Sequence, residues 1–507
     1  MSSPKIVIVG GGVSGLSAGI YAQKAGFDSV VYEKNPVPGG QCIGWMRESH
    51  YIDNCICWMT CAKEGYSLWD LWKDSGICPE GHEIHQHDYF YKSELDGQTL
   101  HLWRDLDKAQ KEMLELSPQD SKEIKKFFKH VKLSQCLEVP SVKPLDMMNL
   151  FDFMALGLKM RNMIPVLANY SKLSVGDLAS RFKHPLIKKV MTDYMQPEYL
   201  AHLFVTAYGT ISSGGGGVPV GGSFAAMQRM AKRYKELGGT LLCGKTVSKV
   251  LMESDANGKT ISKGIELDDG TKIDADYVIC ATDAHHTFEQ LIDEKYMPKA
   301  LRHAYDDREN NPLASAFHAA FSFDGTTTEI GGRTFFDCKG FELAGRTITR
   351  MNIKNYSFEN APAPKGKSVL QVKLLETEEE YLYWKNLYET NKKEYEEQKL
   401  KAAKEIQKIL EDKYAVLKGK LKLLDAWTPF TYTRYCNAYR GVFMSFMPTK
   451  KSKGLSNIPG VINGVDNMLL AGQWLMLPGG IPVALITGKY AIQRILKKLN
   501  RSVIINP

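Results

Sequence analysis

Three glycines and one acid set the first chemical expectation. Gly10, Gly12 and Gly15 fall in the G-x-G-x-x-G register of KIVIVGGGVSGLSAGIYAQKAGFDSVVYE, Lys5 to Glu33, and Glu33 closes the stretch. At this spacing Gly10 permits a tight turn, Gly12 lets main chain approach a pyrophosphate, and Gly15 brings a helix close to a strand. Val13 and Ser14 complete the turn, and the helix start adds unpaired N–H groups and partial positive charge for a diphosphate. The Glu33 carboxylate can accept both ribose hydroxyls of an AMP moiety and repels a 2′-phosphate. Binding of the AMP half of a dinucleotide is expected, with NADP disfavoured.

These residues need a strand before the turn and a helix after it. Lys5 to Val9, mostly β-branched, reads as a buried parallel strand, and a short second strand runs from Ser29 to Tyr32. At 507 residues the chain exceeds one hydrophobic core, which predicts two domains. With 44% hydrophobic and 24% charged residues it is expected to be globular rather than disordered. A net charge of +8 argues against a dedicated nucleic-acid binder and leaves an anionic membrane surface open. The motif begins at residue 5, which leaves no room for a signal or transit peptide. No run of about 18 apolar residues is present. Ten cysteines in so long a chain do not make a disulfide scaffold, so a reduced, cytoplasmic protein is expected.

Beyond Glu33, Lys34 leads into KNPVPGGQCIGW, where Gly39 and Gly40 make a turn able to lie against a cofactor. The glycine turn, the acid and this Pro-Gly-Gly together resemble the flavoprotein superfamily of amine oxidases and phytoene desaturases. The continuation GWMRESHYIDNCICWM is similar to the carotenoid-desaturase and retinol-saturase branch. The resemblance implies FAD and a fold of the α/β class: a discontinuous Rossmann-like FAD/NAD(P)-binding domain plus a mixed α+β substrate domain. Residues 1–65, 210–290 and 456–507 are expected to form the first. Residues 66–209 and 291–455 are expected to form the second, with an apolar helical lid. The same resemblance places Lys34, Gly39, Gly40 and Gln41 at the cofactor, Gln41 standing where relatives often carry Arg or Lys. It places Val247 against the adenine through its backbone, and Ala281, at the end of a strand from Tyr277, beside the cofactor.

MLLAGQWLMLPGGIPVALITGKYAIQRILKK supplies a second motif. A strand from Met468 to Ala471 leads to Gly472 and Gln473, and Pro478, Gly479, Gly480 and Ile481 start a helix to Lys498. In the resembling flavoproteins such a helix start faces N1 and the O2 carbonyl of the flavin and stabilises the reduced anion. Gln473 stands where the superfamily usually has Asp or Glu holding a ribityl hydroxyl; retinol-saturase-like members share the Gly-Gln.

Cys42, Cys55, Cys57 and Cys61 lack a second clean pair and a histidine at ligand spacing, so structural thiols rather than a metal site are expected. No nucleophilic triad and no paired carboxylates are evident. Asp53 and Tyr199 are the least poor candidates for an acid or base, although a carboxylate such as Asp53 more commonly ties down a loop. From Tyr66 to Gly209 helical patterning dominates. Within it, Phe153 to Val190 combines Met, Leu and Phe with seven Lys or Arg against the single acid Asp177. That suits the lid of an apolar tunnel or a helix lying in a membrane interface, and the two can coexist. Ile211 to Gly222 reads as a glycine loop before an amphipathic helix carrying Phe224, Met227 and Met230. Lys245 to Thr282 reads as strands with turns at Asn257-Gly258 and Asp269-Gly270. Glu376 to Lys418 reads as a charged helical stretch with one apolar stripe.

The resemblance implies an FAD-dependent oxidoreductase acting on C–C bonds of an elongated apolar substrate of carotenoid, retinoid or isoprenoid type. It would desaturate or saturate that substrate by hydride transfer at flavin N5. One alternative is redox-neutral isomerisation of a polyene or unsaturated fatty acid; another is amine oxidation, with Trp474 and Tyr439 as an aromatic pair. A non-enzymatic FAD-stabilised protein is a further alternative. The expected partners are a hydrophobic small molecule, an electron partner that is oxygen, a quinone or NAD(P)H, and a peripheral membrane contact, without nucleic acid or metal.

Overall fold

The computed structural model describes residues 3–254, 258–327, 329–356, 363–452 and 458–505. Short aliphatic runs form a five-stranded sheet in the order Met468–Leu470, Tyr277–Cys280, Lys5–Val9, Asp28–Glu33, Thr240–Cys243. Every pairing in it is parallel. A parallel sheet must be covered on both faces, and alternate residues of the first strand show this. Ile6 and Ile8 pack into one core, while Val7 and Val9 pack into another. The first core is closed by the helices Val13–Lys24, Gly222–Glu236 and Gly480–Lys498. The second is closed by the small antiparallel sheet of Val247–Ser254, Thr260–Leu267 and Lys272–Asp274. Asp269 and Gly270 join the last two of these strands, whereas Asn257 of the other expected turn lies outside the described residues.

The first and last of the three helices touch closely. Ser17 Oγ donates to the Leu485 carbonyl at 2.6 Å, and a side chain at Gly488 would strike the Ser14 carbonyl.

A seven-stranded sheet forms the second layer, in the order Leu421–Trp427, Ser315–Phe323, Ser368–Glu376, Arg346–Asn355, Arg333–Leu343, Tyr89–Leu95, Gln98–Trp103. The helices Glu378–Thr390 and Lys392–Lys413 pack against it through Tyr381, Trp384, Tyr395, Ile406 and Leu410. These two helices replace the single helical stretch expected from Glu376 to Lys418. Asn391 interrupts it with extended backbone (φ −149°), and its side chain accepts the Glu394 N–H to restart the helix.

Three further expectations change. The stretch from Tyr66 to Gly209 is not helical throughout, because the hairpin Tyr89–Leu95/Gln98–Trp103 completes the large sheet. The division at residue 66 cuts through a packed core, since Leu68, Leu71, Trp72, Ile77 and Cys78 pack with the first helix. Likewise Met297, Leu301 and Ala304, beyond residue 291, pack on the parallel sheet. Residue 456 lies outside the described residues.

Candidate functional site

The C-terminal ends of four parallel strands open on one cavity of about 1190 Å³. Gly10 follows the first strand with φ +103°, a left-handed turn that donates its N–H to the Tyr32 carbonyl at 2.8 Å. A side chain at Gly15 would strike the Gly10 carbonyl oxygen, so the first helix begins as close to its strand as main chain permits. No side chain caps that helix at Gly12, and Gly12, Val13 and Ser14 lie on the cavity wall. Gly12 has an ordinary φ of −77°, and a Cβ built there meets nothing nearer than 3.9 Å. The protein's own packing therefore does not require glycine at this position. A diphosphate lying on the helix start would. Gly39 and Gly40 fold back over the turn, with the Gly39 N–H donating to the Gly11 carbonyl at 2.9 Å.

Glu33 is buried and lines the cavity. Its Oε2 accepts the Gly11 N–H at 2.7 Å, and its Oε1 accepts both the backbone N–H and the Nδ2 of Asn35 at 2.8 Å. With Oε1 holding two donors, Oε2 keeps one acceptor position. One ribose hydroxyl can be taken without displacing a protein donor, where the sequence suggested two. Lys34 and Gln41 are on the wall, but their polar ends are turned to the protein. Lys34 Nζ donates to Asn437 Oδ1 at 2.6 Å and Gln41 Nε2 to the Val442 carbonyl at 2.8 Å. Burial lowers the Lys34 pKa. Val247 and Ala281 also line the cavity, and the Ala281 carbonyl accepts Ser14 Oγ at 3.4 Å.

The second motif arrives at the same cavity from the far end of the chain. Gly472, Gln473, Gly479, Gly480 and Ile481 all lie on its wall. Gln473 Oε1 accepts the Gly480 N–H at 3.2 Å, so this side chain already caps the start of the last helix. Gly479 has φ +85°, and a side chain there would press on the Ser445 N–H.

Asp53 does not line the cavity. Its carboxylate accepts Tyr51 OH, the Cys55 N–H, the Ser223 N–H and Ser223 Oγ, at 3.1, 2.9, 2.6 and 2.7 Å. It is spent on tying its loop to the start of the helix Gly222–Glu236. Tyr199 does line the cavity, and burial pushes its phenol well above the usual range, so it offers a neutral hydroxyl and no base. Trp474 and Tyr439 do not form a parallel cage. Their rings meet edge-on at 6.4 Å and 73°, and Tyr439 is absent from the wall.

Asp283 is a wall residue that sequence reasoning did not single out. Its Oδ2 accepts Trp474 Nε1 at 2.9 Å and the Tyr439 N–H at 3.1 Å, and its Oδ1 accepts the His285 N–H at 2.9 Å. Burial raises its pKa. The available signal is an acid three residues past a buried strand end, in the position that caps a following helical turn. Of the four clustered thiols, Cys42, Cys55 and Cys57 reach the wall and Cys61 does not.

Away from the glycines the wall becomes apolar. Met160, Met163 and Leu167 come from the predicted lid, Phe335 from the large sheet, and Phe443 and Met447 from the loop before the last strand. The cavity thus joins an end lined largely by glycine main chain to an apolar chamber.

A family model described as flavin containing amine oxidoreductase matches residues 13–496. Prolycopene isomerase 1 from an Oncidium hybrid is 24% identical, over 97% of this chain and 84% of that protein. The neurosporene-forming phytoene desaturase of Rhodobacter capsulatus is 24% identical, over 57% of this chain and 54% of its own length. Among solved structures, an oxidoreductase from Methanosarcina mazei superposes with a TM-score of 0.58 at 15% identity, covering 96% of this chain and all of that one.

Proposed function

The chain belongs to the flavin-containing amine oxidoreductase family and uses FAD, and from this premise we propose that it acts on carbon–carbon bonds of an elongated apolar polyene. The observation that carries the reading is the continuity of the cavity, glycine-lined at one end and methionine- and aromatic-lined at the other. Gly10, Gly12, Val13, Ser14, Gly39 and Gly40 are the residues we assign to the diphosphate, with Gly15 off the wall and seating the helix on its strand, and Glu33 to one ribose hydroxyl. Val247 is assigned to the adenine, with Ala281 between the two halves. Gly472, Gln473, Gly479, Gly480 and Ile481 are assigned to the flavin end. The cofactor unit then draws on segments 1–65, 210–290 and 456–507, with the helix Ser67–Asp74 packed onto it.

Bound there, FAD supplies two-electron oxidation or reduction of the substrate. The chain's own task is to seat a long hydrocarbon against the ring and keep water out. Anaerobic addition of phytoene, ζ-carotene or prolycopene to the yellow protein tests this. Loss of the flavin colour with a more unsaturated product identifies desaturation, and retention of FAD with no change in any polyene overturns the reading. The electron partner is whichever of oxygen, a quinone and NAD(P)H restores or removes the colour at a catalytic rate.

One observation favours redox-neutral isomerisation as a second reading. The match to prolycopene isomerase spans nearly the whole chain, while that to the desaturase spans little more than half. A product of changed double-bond geometry and unchanged hydrogen count identifies it.

We also propose that substrate enters from a membrane surface. Leu150, Phe151, Leu158 and Ile164, on the helices Leu150–Lys159 and Met163–Tyr170, are 71, 78, 66 and 68% exposed. Met163 and Leu167 of the second helix line the cavity. Lys159 and Arg161 supply a cationic rim. No helix among the described residues is long and apolar enough to cross a membrane. Co-sedimentation with vesicles containing phosphatidylserine tests the contact.

A further inference from the structure

The apolar chamber contains two cations that the polyene reading leaves without a task. Arg333 and Lys373 lie on its wall, on neighbouring parts of the large sheet. Arg333 pairs across strands with Lys354, Phe335 pairs with Asn352, and Lys354 pairs with Gln371, two residues from Lys373. Cross-strand partners share a face, as do residues two apart on a strand. One patch of sheet therefore presents Arg333, Lys354, Asn352 and Lys373 together. Asn352 Nδ2 donates to the Lys373 carbonyl at 2.6 Å, which ties the amide to the main chain of the neighbouring strand.

Two other cations on the same wall are neutralised by protein acids. Arg346 pairs with Glu380 at 2.6 Å, and Arg350 pairs with Asp193 at 2.6 Å. Neither Arg333 nor Lys373 has a carboxylate partner among the described residues. Arg333 is hydrogen-bonded to the Cys57 thiol and its guanidinium lies 5.5 Å from the Tyr194 ring centre, while Lys373 Nζ lies 3.4 Å from that of Phe443. Opposite them, Trp58 Nε1 donates to Tyr194 OH at 2.7 Å. Burial costs a charged group its hydration, and an ion of opposite charge in reach restores part of it. The field of the patch is visible on its neighbours. Burial lowers the Lys373 ammonium to about 8. Burial works to raise the Cys57 thiol, yet Arg333, Lys354 and Lys373 bring it down to about 7. A guanidinium and an ammonium beside an amide suit a carboxylate, which accepts several donors in one plane.

We propose that Arg333 and Lys373, supported by Asn352, form a carboxylate subsite at one end of the substrate chamber, so that the substrate is an unsaturated chain ending in a carboxylate rather than a pure hydrocarbon. Two sources share this chemistry, a polyunsaturated fatty acid and a carboxylated isoprenoid polyene. The inference rests on the reading of the chamber as a polyene site.

The test is fluorescence titration of the FAD-loaded protein with cis-parinarate, a conjugated fatty acid, and with its methyl ester. All-trans-retinoate and retinol form a parallel pair. Each acid is expected to bind about tenfold or more tightly than its neutral partner, the discrimination of one charge-assisted contact. Arg333→Gln and Lys373→Gln are each expected to weaken acid binding about tenfold and to leave the neutral partner within about twofold. Arg333→Lys and Lys373→Arg, which keep the charge, are expected to keep most of the preference, and unchanged FAD content shows that the fold is intact. The tighter of parinarate and retinoate identifies the source. Equal binding of acid and neutral partner overturns the subsite and leaves the polyene reading standing, as does an equal loss of both in the Gln variants. Binding of none of the four overturns the polyene reading itself.

Discussion

The two ends of the cavity are walled by different parts of the polypeptide. At the cofactor end the wall is main chain: Gly10, Gly12 and Gly40 at the first helix, Gly479 and Gly480 at the last. The few side chains there mostly serve the protein, Glu33 on Gly11 and Asn35, Gln473 on Gly480. At the substrate end the wall is side chains from the large sheet, the lid helices and the loop before the last strand, and its polar members include four cations, Arg333, Arg346, Arg350 and Lys373. Main chain offers every ligand the same amides, so it suits a group whose shape is fixed. Side chains offer volume and charge that can be exchanged without disturbing the fold, so they suit the part of the reaction that defines specificity.

The sharpest way to break this contrast is to add one methyl group at the cofactor end. Gly15→Ala sets a Cβ against the Gly10 carbonyl, where the sheet leaves no room to retreat. A loss of about 4 kcal/mol and a colourless protein are expected, measured by chemical denaturation and by flavin absorbance. Behind the large sheet, away from the cavity wall, a charge matters more than a methyl. Burial pushes the Glu376 carboxyl up to about 8, and Trp384 Nε1 donates to it at 3.1 Å. Its native pKa is above the unfolded value, so its contribution is fully present below about pH 4 and is lost as pH rises through about 8. Glu376→Gln, at a pH of about 9, is therefore expected to stabilise the protein by roughly 2 to 4 kcal/mol, and a series of thermal melts against pH reads it.

A smaller effect separates the two ends by titration. Carboxylate binding at Lys373 requires its proton, so parinarate affinity should fall about tenfold as pH rises from about 7 to about 10, while the methyl ester holds constant. A flat profile for the acid would place the charge entirely on Arg333. At the cofactor end, Gln473→Ala removes the cap on Gly480, and FAD affinity should weaken by about 1 kcal/mol, read by equilibrium dialysis. The smallest change in stability is expected outside both ends. Phe151→Ser with Leu158→Ser alters exposed side chains, so the melt should move by less than about 0.5 kcal/mol, yet vesicle binding should fall severalfold.

The same contrast explains which parts of the molecule were legible in its sequence. A left-handed Gly10 and a Gly15 packed on its carbonyl admit no other residue, so main-chain constraint is written directly as residue type. Four of the five parallel strands were legible as aliphatic runs, while the half-exposed edge strand Thr240–Cys243 was not. The hairpin Tyr89–Leu95/Gln98–Trp103 was missed although its turn, Asp96-Gly97, has positive φ at both residues and is a strong local signal. Helical patterning on either side masked it. The break at Asn391 was equally local and equally missed. Asp283 carried a local signal as a helix cap and was missed, whereas Arg333 and Lys373 were not legible in principle. Each becomes a wall residue only through the register of strands far apart in the chain, and in the sequence Arg333 and Lys373 read as the polar face of an ordinary strand. Asp53 misled for the opposite reason. Its position near the cofactor turn was right for chemistry, but Ser223, 170 residues later, takes its carboxylate.

The contact of Ser17 with Leu485 joins residues 468 positions apart, and the cofactor cavity has no second wall until both helices exist. A ribosome adding about 5 to 20 residues per second needs roughly 20 to 90 s to pass from one to the other. Throughout that interval the glycine turn can be made but cannot be closed, and the hydrocarbon chamber has neither its ring nor its floor. The wall that carries Gly479, Gly480 and Ile481 is therefore the last part of the cavity to be synthesised.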